Sequence, residues 1–333
     1  MESVARSPWT PLHAQVHQVL RSRKLLTSNQ SLLLAVSGGQ DSLCLAKLFL
    51  DLQPKWGWNL AIGHCDHGWR SDSAANADHV ESLALSWGLP CYRRTCSPSE
   101  QGSRSEAAAR QWRYAALIEM AQVGGYGTIV TGHTASDRAE TLLYNLVRGS
   151  GSDGLQALTW RRHLTPEVTL VRPLLALSRS ETAAFCQTFH LPVWEDATNM
   201  DRSYARNRIR QDLIPYLQEH LNPQAEKLLA QTAELLQAEV AYLEAEATQL
   251  RQQVQPLDRA ALHRLPLGEA PLALQRRVVR QFLEQQLPCS PTFEQIEKLV
   301  ALISAPNRSC TDPLPGGSIA QVEGDWICLR SPQ

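Results

Sequence analysis

No apolar run in the 333-residue chain approaches the roughly 18 residues that cross a bilayer, so a membrane protein of the helical kind is not expected. Excess charge is missing too. The formal net charge is −1, which argues against a wholly basic nucleic-acid binder and leaves any RNA contact to a local patch. Eight cysteines occur, but no Cys-x-x-Cys pair does; Cys91 and Cys96 form a lone Cys-x4-Cys. That excludes the usual spacing of zinc and redox motifs and reads as reduced thiols in a cytoplasmic protein. Met1 to Arg23 lacks the hydrophobic centre of an export signal, which points to the same compartment. The nucleotide signature Gly-x-x-x-x-Gly-Lys-Ser/Thr is also absent, and no Gly-x-Gly-x-x-Gly falls at the Gly38-Gly39 turn.

What is present centres on Leu32-Leu33-Leu34-Ala35-Val36-Ser37-Gly38-Gly39-Gln40-Asp41-Ser42. The continuous aliphatic run reads as a strand buried on both faces. Two glycines then allow a turn at positive φ or a close approach to a ligand. From Gln40 onward Leu43, Cys44, Ala46, Leu48 and Leu50 have helical spacing. Strand, Gly-Gly loop and helix together present backbone N–H groups and a helix N-terminus to an anion.

Further strands are expected at Trp58–Cys65, Leu89–Thr95, Thr128–Thr131 and Val168–Leu175, with helices between them and Ser136 as cap of the helix Asp137–Val147. Such alternation predicts an α/β fold with a mainly parallel, doubly wound sheet, whose ligands bind beyond the carboxyl ends of its strands. The Gly-Gly loop, His64–His67 and Gly132–Asp137 all fall at those ends. Beyond about Asp212 the pattern turns helical. Leu229, Ala233, Leu236, Val240, Leu243, Ala247, Leu250 and Val254 alternate at spacings of four and three, a long amphipathic helix whose seam would suit a homodimer. A later helix is expected behind Ser290 and Pro291, and a short hairpin at Gln321–Leu329. The reading is therefore a catalytic domain over residues 1–212 and a mainly helical domain over 213–333.

Four constellations carry candidate chemistry. His64 and Asp66 share one strand face, as a weak metal pair or as part of a substrate site with Arg70. Glu106, Arg110 and Arg113 share one helix face, where an ordinary surface ion pair suffices. His133 is followed by Asp137 and Glu140, stacked at i and i+3; the pair could hold Mg²⁺, recognise an ammonium, or only favour a helix N-terminus. Arg148 opens a Gly-Ser-Gly loop. Arg202, Arg206, Arg208 and Arg210 surround Tyr204, as an RNA grip or as a basic helix start.

Ser37-Gly38-Gly39-x-Asp41-Ser42 resembles the pyrophosphate loop (PP-loop) of the N-type ATP pyrophosphatases. With His64–Arg70, Glu106–Tyr114, Thr131–Thr141, Arg148–Gly151, Arg172–Leu175, Glu195-Asp196-x-x-Asn199 and Arg206–Arg210 in order, the chain resembles the bacterial tRNA(Ile)-lysidine synthases. The resemblance implies an adenine nucleotide alpha hydrolase-like catalytic fold and an ATP-dependent ligase. Such enzymes adenylate the C2 oxygen of cytidine 34 in the CAU anticodon of tRNA(Ile); free L-lysine then displaces AMP through its ε-amine. It further implies ATP contacts from Ser37, Gly38, Gly39, Gln40, Asp41, Ser42, His64 and Asp66, with Mg²⁺ at Asp41. Asp41, His133 and Asp137 become the catalytic candidates, and Arg113, Asp137 and Glu140 the lysine site. Arg148, Arg206, Arg208 and Arg210 become tRNA contacts. Ser136-Asp137-Arg138 departs from the consecutive aspartates and glutamine usual in the family. A tRNA 2-thiolation enzyme would share the loop but normally carries cluster-binding cysteines. A glutamine-dependent amidotransferase would need a glutaminase partner, and a non-catalytic tRNA-binding protein would need neither Asp41 nor His133.

Overall fold

The computed structural model describes residues 9–68, 72–97, 106–195, 201–256 and 259–330. Arg70, Asp196, Asn199 and the side chain of Glu106 lie outside the described residues. Contacts divide the chain into two units, one up to Leu235 and one from Leu236.

The first unit opens with α1 (Pro11–Ser22), β1 (Ser31–Ala35), α2 (Gln40–Trp56), β2 (Asn59–Asp66), α3 (Ser73–Ser86) and β3 (Cys91–Thr95). It continues with α4 (Glu106–Gly124), β4 (Thr128–Thr131), α5 (Ala135–Val147), the short α6 (Ser152–Leu155), β5 (Arg161–His163), β6 (Thr169–Val171) and α7 (Arg179–Thr188). A short α8 (Ala205–Arg208) runs through a π-helical turn (Ile209–Leu213) into α9 (Ile214–His220), and α10 (Ala225–Val254) crosses the boundary between the units.

The sheet order is β3-β2-β1-β4-β6-β5. Every pairing is parallel except β5 with β6. β1 shows why the aliphatic run matters. Leu32 and Leu34 pack into a core with α1, α2 and α7, whereas Leu33 points to the other face against Leu117, Met120 and Ala121 of α4. Alternating side chains thus bury one strand twice. The chain leaves β1 toward β2 and β3, then returns to the other side of β1 as β4. The carboxyl ends of β1 and β4 therefore flank a topological switch point, where open α/β sheets form their crevice.

The expected strand Val168–Leu175 is only its first half in fact, paired with the unforeseen β5. Arg161, Arg162 and His163 are all exposed, so β5 carried no apolar pattern to read. The expected boundary at 212/213 falls inside the first unit, because Ile214, Leu217 and Leu229 pack with Ala139, Leu143 and Ile209.

The second unit combines the end of α10 with β7 (Ala261–His263), α11 (Arg264–Glu269), α12 (Leu272–Gln286), α13 (Phe293–Leu302), β8 (Ile319–Glu323) and β9 (Trp326–Arg330). The strands form an antiparallel sheet in the order β7-β9-β8, and Val278, Phe282, Leu299 and Ile327 centre its core. α13 begins later than expected. Thr292, not Ser290, is its cap, in a capping box with Gln295. All eight cysteines are thiols; Cys289 and Cys310 are exposed rather than in a core.

Gly132, just after β4, shows how tightly the crevice is built. A Cβ there would lie 2.7 Å from the Asp41 carbonyl oxygen and 2.9 Å from its carbon, backbone atoms that have little room to give. Gly132→Ala is expected to destabilise the unit by about 1–3 kcal/mol in urea unfolding, as overpacking does. An unchanged midpoint would show that the two backbones can separate.

Candidate active site

At the end of β1 the chain turns through Ser37 and Gly38, whose φ of +86° belongs to the left-handed region. A Cβ at Gly38 would also approach Asn76 Oδ1 to 2.4 Å, so both conformation and space select glycine. The turn is pinned from several sides. The Ser37 N–H donates to Ser42 Oγ at 3.2 Å, the Ser42 hydroxyl donates to the Gly39 carbonyl at 2.8 Å, and Asn76 Nδ2 donates to the Ser37 carbonyl at 3.0 Å. Gly39 caps α2 without any side-chain hydrogen bond. The first turn of a 17-residue helix therefore keeps its N–H groups for a ligand, the arrangement that suits phosphate.

Several predicted loop residues serve the scaffold. Gln40 Nε2 donates to the Arg179 carbonyl at 2.7 Å and to Thr182 Oγ1 at 2.8 Å, which ties α2 to α7. His64 is buried with Nδ1 2.8 Å from the Val36 carbonyl, a strut under the loop. Burial lowers its pKa, so the imidazole stays neutral at neutral pH. Asp66 accepts from the Gly68 N–H at 2.9 Å and from Arg93 at 3.4 Å.

Across the switch point, β4 delivers His133 and Asp137. Thr134, not Ser136, caps α5: its N–H and hydroxyl donate to Asp137 Oδ2 at 2.8 and 2.9 Å. This capping box leaves Oδ1 of Asp137 facing the crevice. There it meets Arg179, whose Nη2 is 3.5 Å away, while Nε of the same guanidinium lies 3.0 Å from Asp41 Oδ2. Thr182 donates to Asp41 Oδ1. Arg179 thus bridges one carboxylate from α2 and one from α5. Nothing local in the sequence marked it, although Ser178-x-x-Glu181 is a capping box that fixes the start of α7 at this residue.

Glu140, the second expected carboxylate of α5, is buried. Arg210, in the π-helical turn, grips it through Nε at 2.6 Å and Nη2 at 2.8 Å and reaches Asp137 at 3.8 Å. Arg113 is exposed, with Nη2 3.4 Å from His67 Nε2. Arg148 and Arg206 lie over the Tyr144 ring, at 5.2 and 5.7 Å from its centroid. Arg208 is exposed and donates to the carbonyls of Arg202 and Ser203. The structure brings together Asp41, His133, Asp137 and Glu140 with Arg179 and Arg210; Arg148 and Arg208 lie outside that group.

Ser136 and Arg138 have work of their own. The Ser136 hydroxyl accepts the Arg179 N–H at 3.0 Å and donates to Glu226 of α10. Arg138, almost fully buried, pairs with Glu234 one turn-pair further along α10 and stacks at 5.1 Å on Trp160. The same Glu234 accepts from Trp160 Nε1 at 2.7 Å and from Arg23 at 2.7 Å.

Charge follows this geometry. Burial raises the pKa of Asp41, and the nearby Asp137 adds to that rise against the pull of Arg179. Burial also works to raise Asp137, but Arg179, His133 and the Thr134 hydrogen bonds outweigh it and hold this carboxyl below its usual range. Burial raises Glu140 despite Arg210. Desolvation drives His133 down to about 3, with Arg172, Arg110 and Arg113 opposing Asp137, so the imidazole is neutral at working pH. Its Nδ1 is 2.8 Å from Thr131 Oγ1.

ATP and a divalent cation fit this chemistry. The described residues hold no cluster of three or more His, Cys, Asp or Glu side chains that could cage a metal. Mg²⁺ commonly uses one or two carboxylates and the phosphates themselves, and Asp41, in the first turn of α2, is a carboxylate beside the phosphate cradle.

A group whose folded pKa lies above its ordinary value loses stability as pH rises through that folded pKa, because the folded state holds the proton more tightly. Asp41 is such a group. Asp41→Asn is therefore expected to unfold at no lower urea than the parent at pH 7.5 and to lose ATP turnover. Its stability relative to the parent should shrink as pH falls below the raised pKa. A variant clearly less stable at pH 7.5 would mean that the Arg179 pair outweighs burial.

The comparisons agree with this architecture. Residues 9–217 match the family described as PP-loop domain, and residues 257–326 match the TilS substrate binding domain. A tRNA(Ile)-lysidine synthase of Nostoc sp. is 60% identical, over 97% of this chain and 98% of its own length. One of Synechococcus sp. is 53% identical over the same shares, and a chloroplastic one of Pyropia yezoensis is 38% identical over 96% and 98%. Among solved structures, the U34-tRNA thiolase NcsA of Methanococcus maripaludis superposes with a TM-score of 0.57 at 16% identity, over 68% of this chain and 78% of that one, a likeness of fold. With a PP-loop crevice at the switch point and relatives of this identity along nearly its whole length, the chain belongs to the tRNA(Ile)-lysidine synthase family.

Proposed function

We propose that this chain joins L-lysine to C2 of cytidine 34 in the CAU anticodon of tRNA(Ile), with ATP cleaved to AMP and pyrophosphate. One observation carries the reading: Asp41, in the uncapped first turn of α2, and Asp137, in the first turn of α5, are bridged by Arg179 at the β1/β4 switch point. Phosphates at that N-terminus leave the α-phosphorus open to the C2 oxygen of the base. Attack forms the O–P bond and releases pyrophosphate; the lysine ε-amine then attacks C2, and AMP departs with the oxygen. Mg²⁺ bound at Asp41 would neutralise charge on the leaving pyrophosphate.

The chain's own groups do the rest. Ser37, Gly38, Gly39 and Ser42 shape the phosphate cradle, with Gln40, His64 and Asp66 supporting it from behind. His133, neutral, lies beside the activated cytosine and can exchange a hydrogen bond with it. Asp137 and Glu140 receive the lysine α-ammonium, which takes the place of the guanidinium groups now on them, and Arg113 meets its carboxylate. The ε-ammonium must shed a proton, for which a carboxylate or phosphate oxygen serves as acceptor. Arg148, Arg206, Arg208 and Arg210 contact tRNA, and the second unit recognises the rest of it. No helix among the described residues is long and apolar enough to cross a membrane, which accords with a cytoplasmic site of action. The first unit, up to Leu235, is the proposed catalytic segment.

The seam of α10 also makes a homodimer a proposal. Ala233, Val240, Ala247 and Val254 of that seam are already buried within the chain, and Leu229 and Leu250 pack against its cores, so a dimer would have only Leu236 and Leu243 of the seam to use. A monomeric mass by light scattering at micromolar concentration would end this idea.

The direct test is AMP formation from ATP with CAU-anticodon isoleucine tRNA, with and without labelled lysine. Lysine-dependent AMP release with label entering the tRNA is expected. Asp137→Asn should raise KM for lysine by roughly tenfold or more, the scale of a charge-assisted hydrogen bond lost, and leave KM for ATP nearly unchanged. Adenylated tRNA without lysine incorporation would reassign the nucleophile, and no ATP cleavage would overturn the reading.

A further inference from the structure

Beside His133 lies a group of arginines that the chemistry above does not use. Arg172, directly after β6, is 2% exposed, one of the largest fully buried side chains in the protein. Its Nη1 donates to the Thr159 carbonyl at 2.7 Å, its Nη2 to Tyr114 Oη at 3.5 Å, and its Nε has no hydrogen-bond partner. Arg110, half-buried on α4, donates through Nη2 to the same Tyr114 oxygen at 3.2 Å, with its guanidinium 5.2 Å from the ring centroid. Among the described residues neither arginine pairs with a carboxylate.

Two consequences follow from elementary hydrogen bonding. Both lone pairs of the Tyr114 hydroxyl are taken by guanidinium donors, so its own O–H must donate, and no acceptor for it is recorded among the described residues. Burying two guanidinium groups without a counter-charge is costly, and proteins accept that cost where an anion completes the site. The mutual repulsion is visible. Burial lowers the pKa of Arg110, and Arg206, Arg172 and Arg113 lower it further. Burial works to raise the Tyr114 phenol, yet Arg110 and Arg172 hold it below its ordinary value. The positive field continues outward: Arg206, one of the charges felt by Arg110, lies over Tyr144, which Arg148 covers as well.

We propose that Arg110, Tyr114 and Arg172 form an anion pocket, separate from the PP-loop, that holds an RNA phosphodiester next to the nucleotide whose base enters the crevice at His133. Arg148 and Arg206 over Tyr144, with Arg206 near enough for Arg110 to feel its charge, suit a polyanion better than a single carboxylate. A nucleotide drawn out of its loop also needs its backbone gripped close to the base, since unstacking has to be offset by contacts. The pocket rests on the proposed tRNA substrate but not on the identity of the nucleophile.

The test is binding of CAU-anticodon isoleucine tRNA by filter retention across a salt series, without ATP or lysine, for the full chain and for Arg110→Gln, Arg110→Lys and Tyr114→Phe. Arg110→Gln is expected to weaken binding about tenfold and to reduce the slope of log K against log salt by about 0.7–0.9, the value of one phosphate contact. Arg110→Lys should keep that slope. Tyr114→Phe should weaken binding by a smaller factor with the slope unchanged, since it removes a donor and no charge. Unchanged affinity and slope in Arg110→Gln would overturn the proposal. So would a rise in KM for lysine with tRNA binding intact, which would make this the pocket of the amino-acid carboxylate. Binding is read without turnover, so a parent chain that fails to incorporate lysine would sink the catalytic reading and leave the pocket to stand or fall on the salt slope.

Discussion

Two carboxylates that face one another across a crevice repel, and the catalytic unit resolves this with the guanidinium of Arg179. Its reach from Asp41 on α2 to Asp137 on α5 sets the relation between the elements that follow β1 and β4. Gln40 and Thr182 fasten α7 to α2 around it, and Ser136 holds its backbone N–H. At an effective dielectric near 20 a charge contact of this kind is worth about 4 kcal/mol at 4 Å, enough to decide where the carboxylates point. The crevice carboxylates therefore already hold guanidinium partners before any ligand arrives, and ligands enter by exchange of partners rather than by filling a neutral space.

Asp137 shows how one side chain serves both fold and site. One oxygen closes the capping box with Thr134, and the other looks into the crevice. Arg179 above all, with His133 and the Thr134 hydrogen bonds, holds its pKa below the ordinary value against the pull of burial. Glu140, one turn later and deeper, lacks those backbone donors and depends on Arg210. The two acids therefore differ in character even though three residues separate them.

Much of this was legible in the sequence, for identifiable reasons. Leu32–Leu34, the glycines of the loop and the helical spacing after Gln40 are contiguous signals, and contiguous signals fix local structure. His133 and Asp137 could be placed at the sheet's carboxyl end because they follow a strand by a few residues. Arg179 was not, since its meaning lies in partners about 40 and 140 positions away. β5 was missed because three exposed polar residues have no period. Ser136 and Ser290 were read as caps by residue type, but Thr134 and Thr292 took those places through partners three residues on. Tertiary contact decided each of these cases, and no local pattern encodes it.

The pairing of α5 with the beginning of α10 bears on how the chain could be recombined with its relatives. Ser136 and Arg138 find Glu226 and Glu234 in a helix that sequence patterning assigns to the other domain. A chimera joined near residue 212 would separate each residue from its partner and strand Arg138 in a buried site with no acid to meet it. A junction after Leu235, where contacts divide the chain, carries both pairs together. The exchangeable piece is thus the sheet domain with the first third of the long helix attached, and substitutions at 136 and 138 are tied to those at 226 and 234.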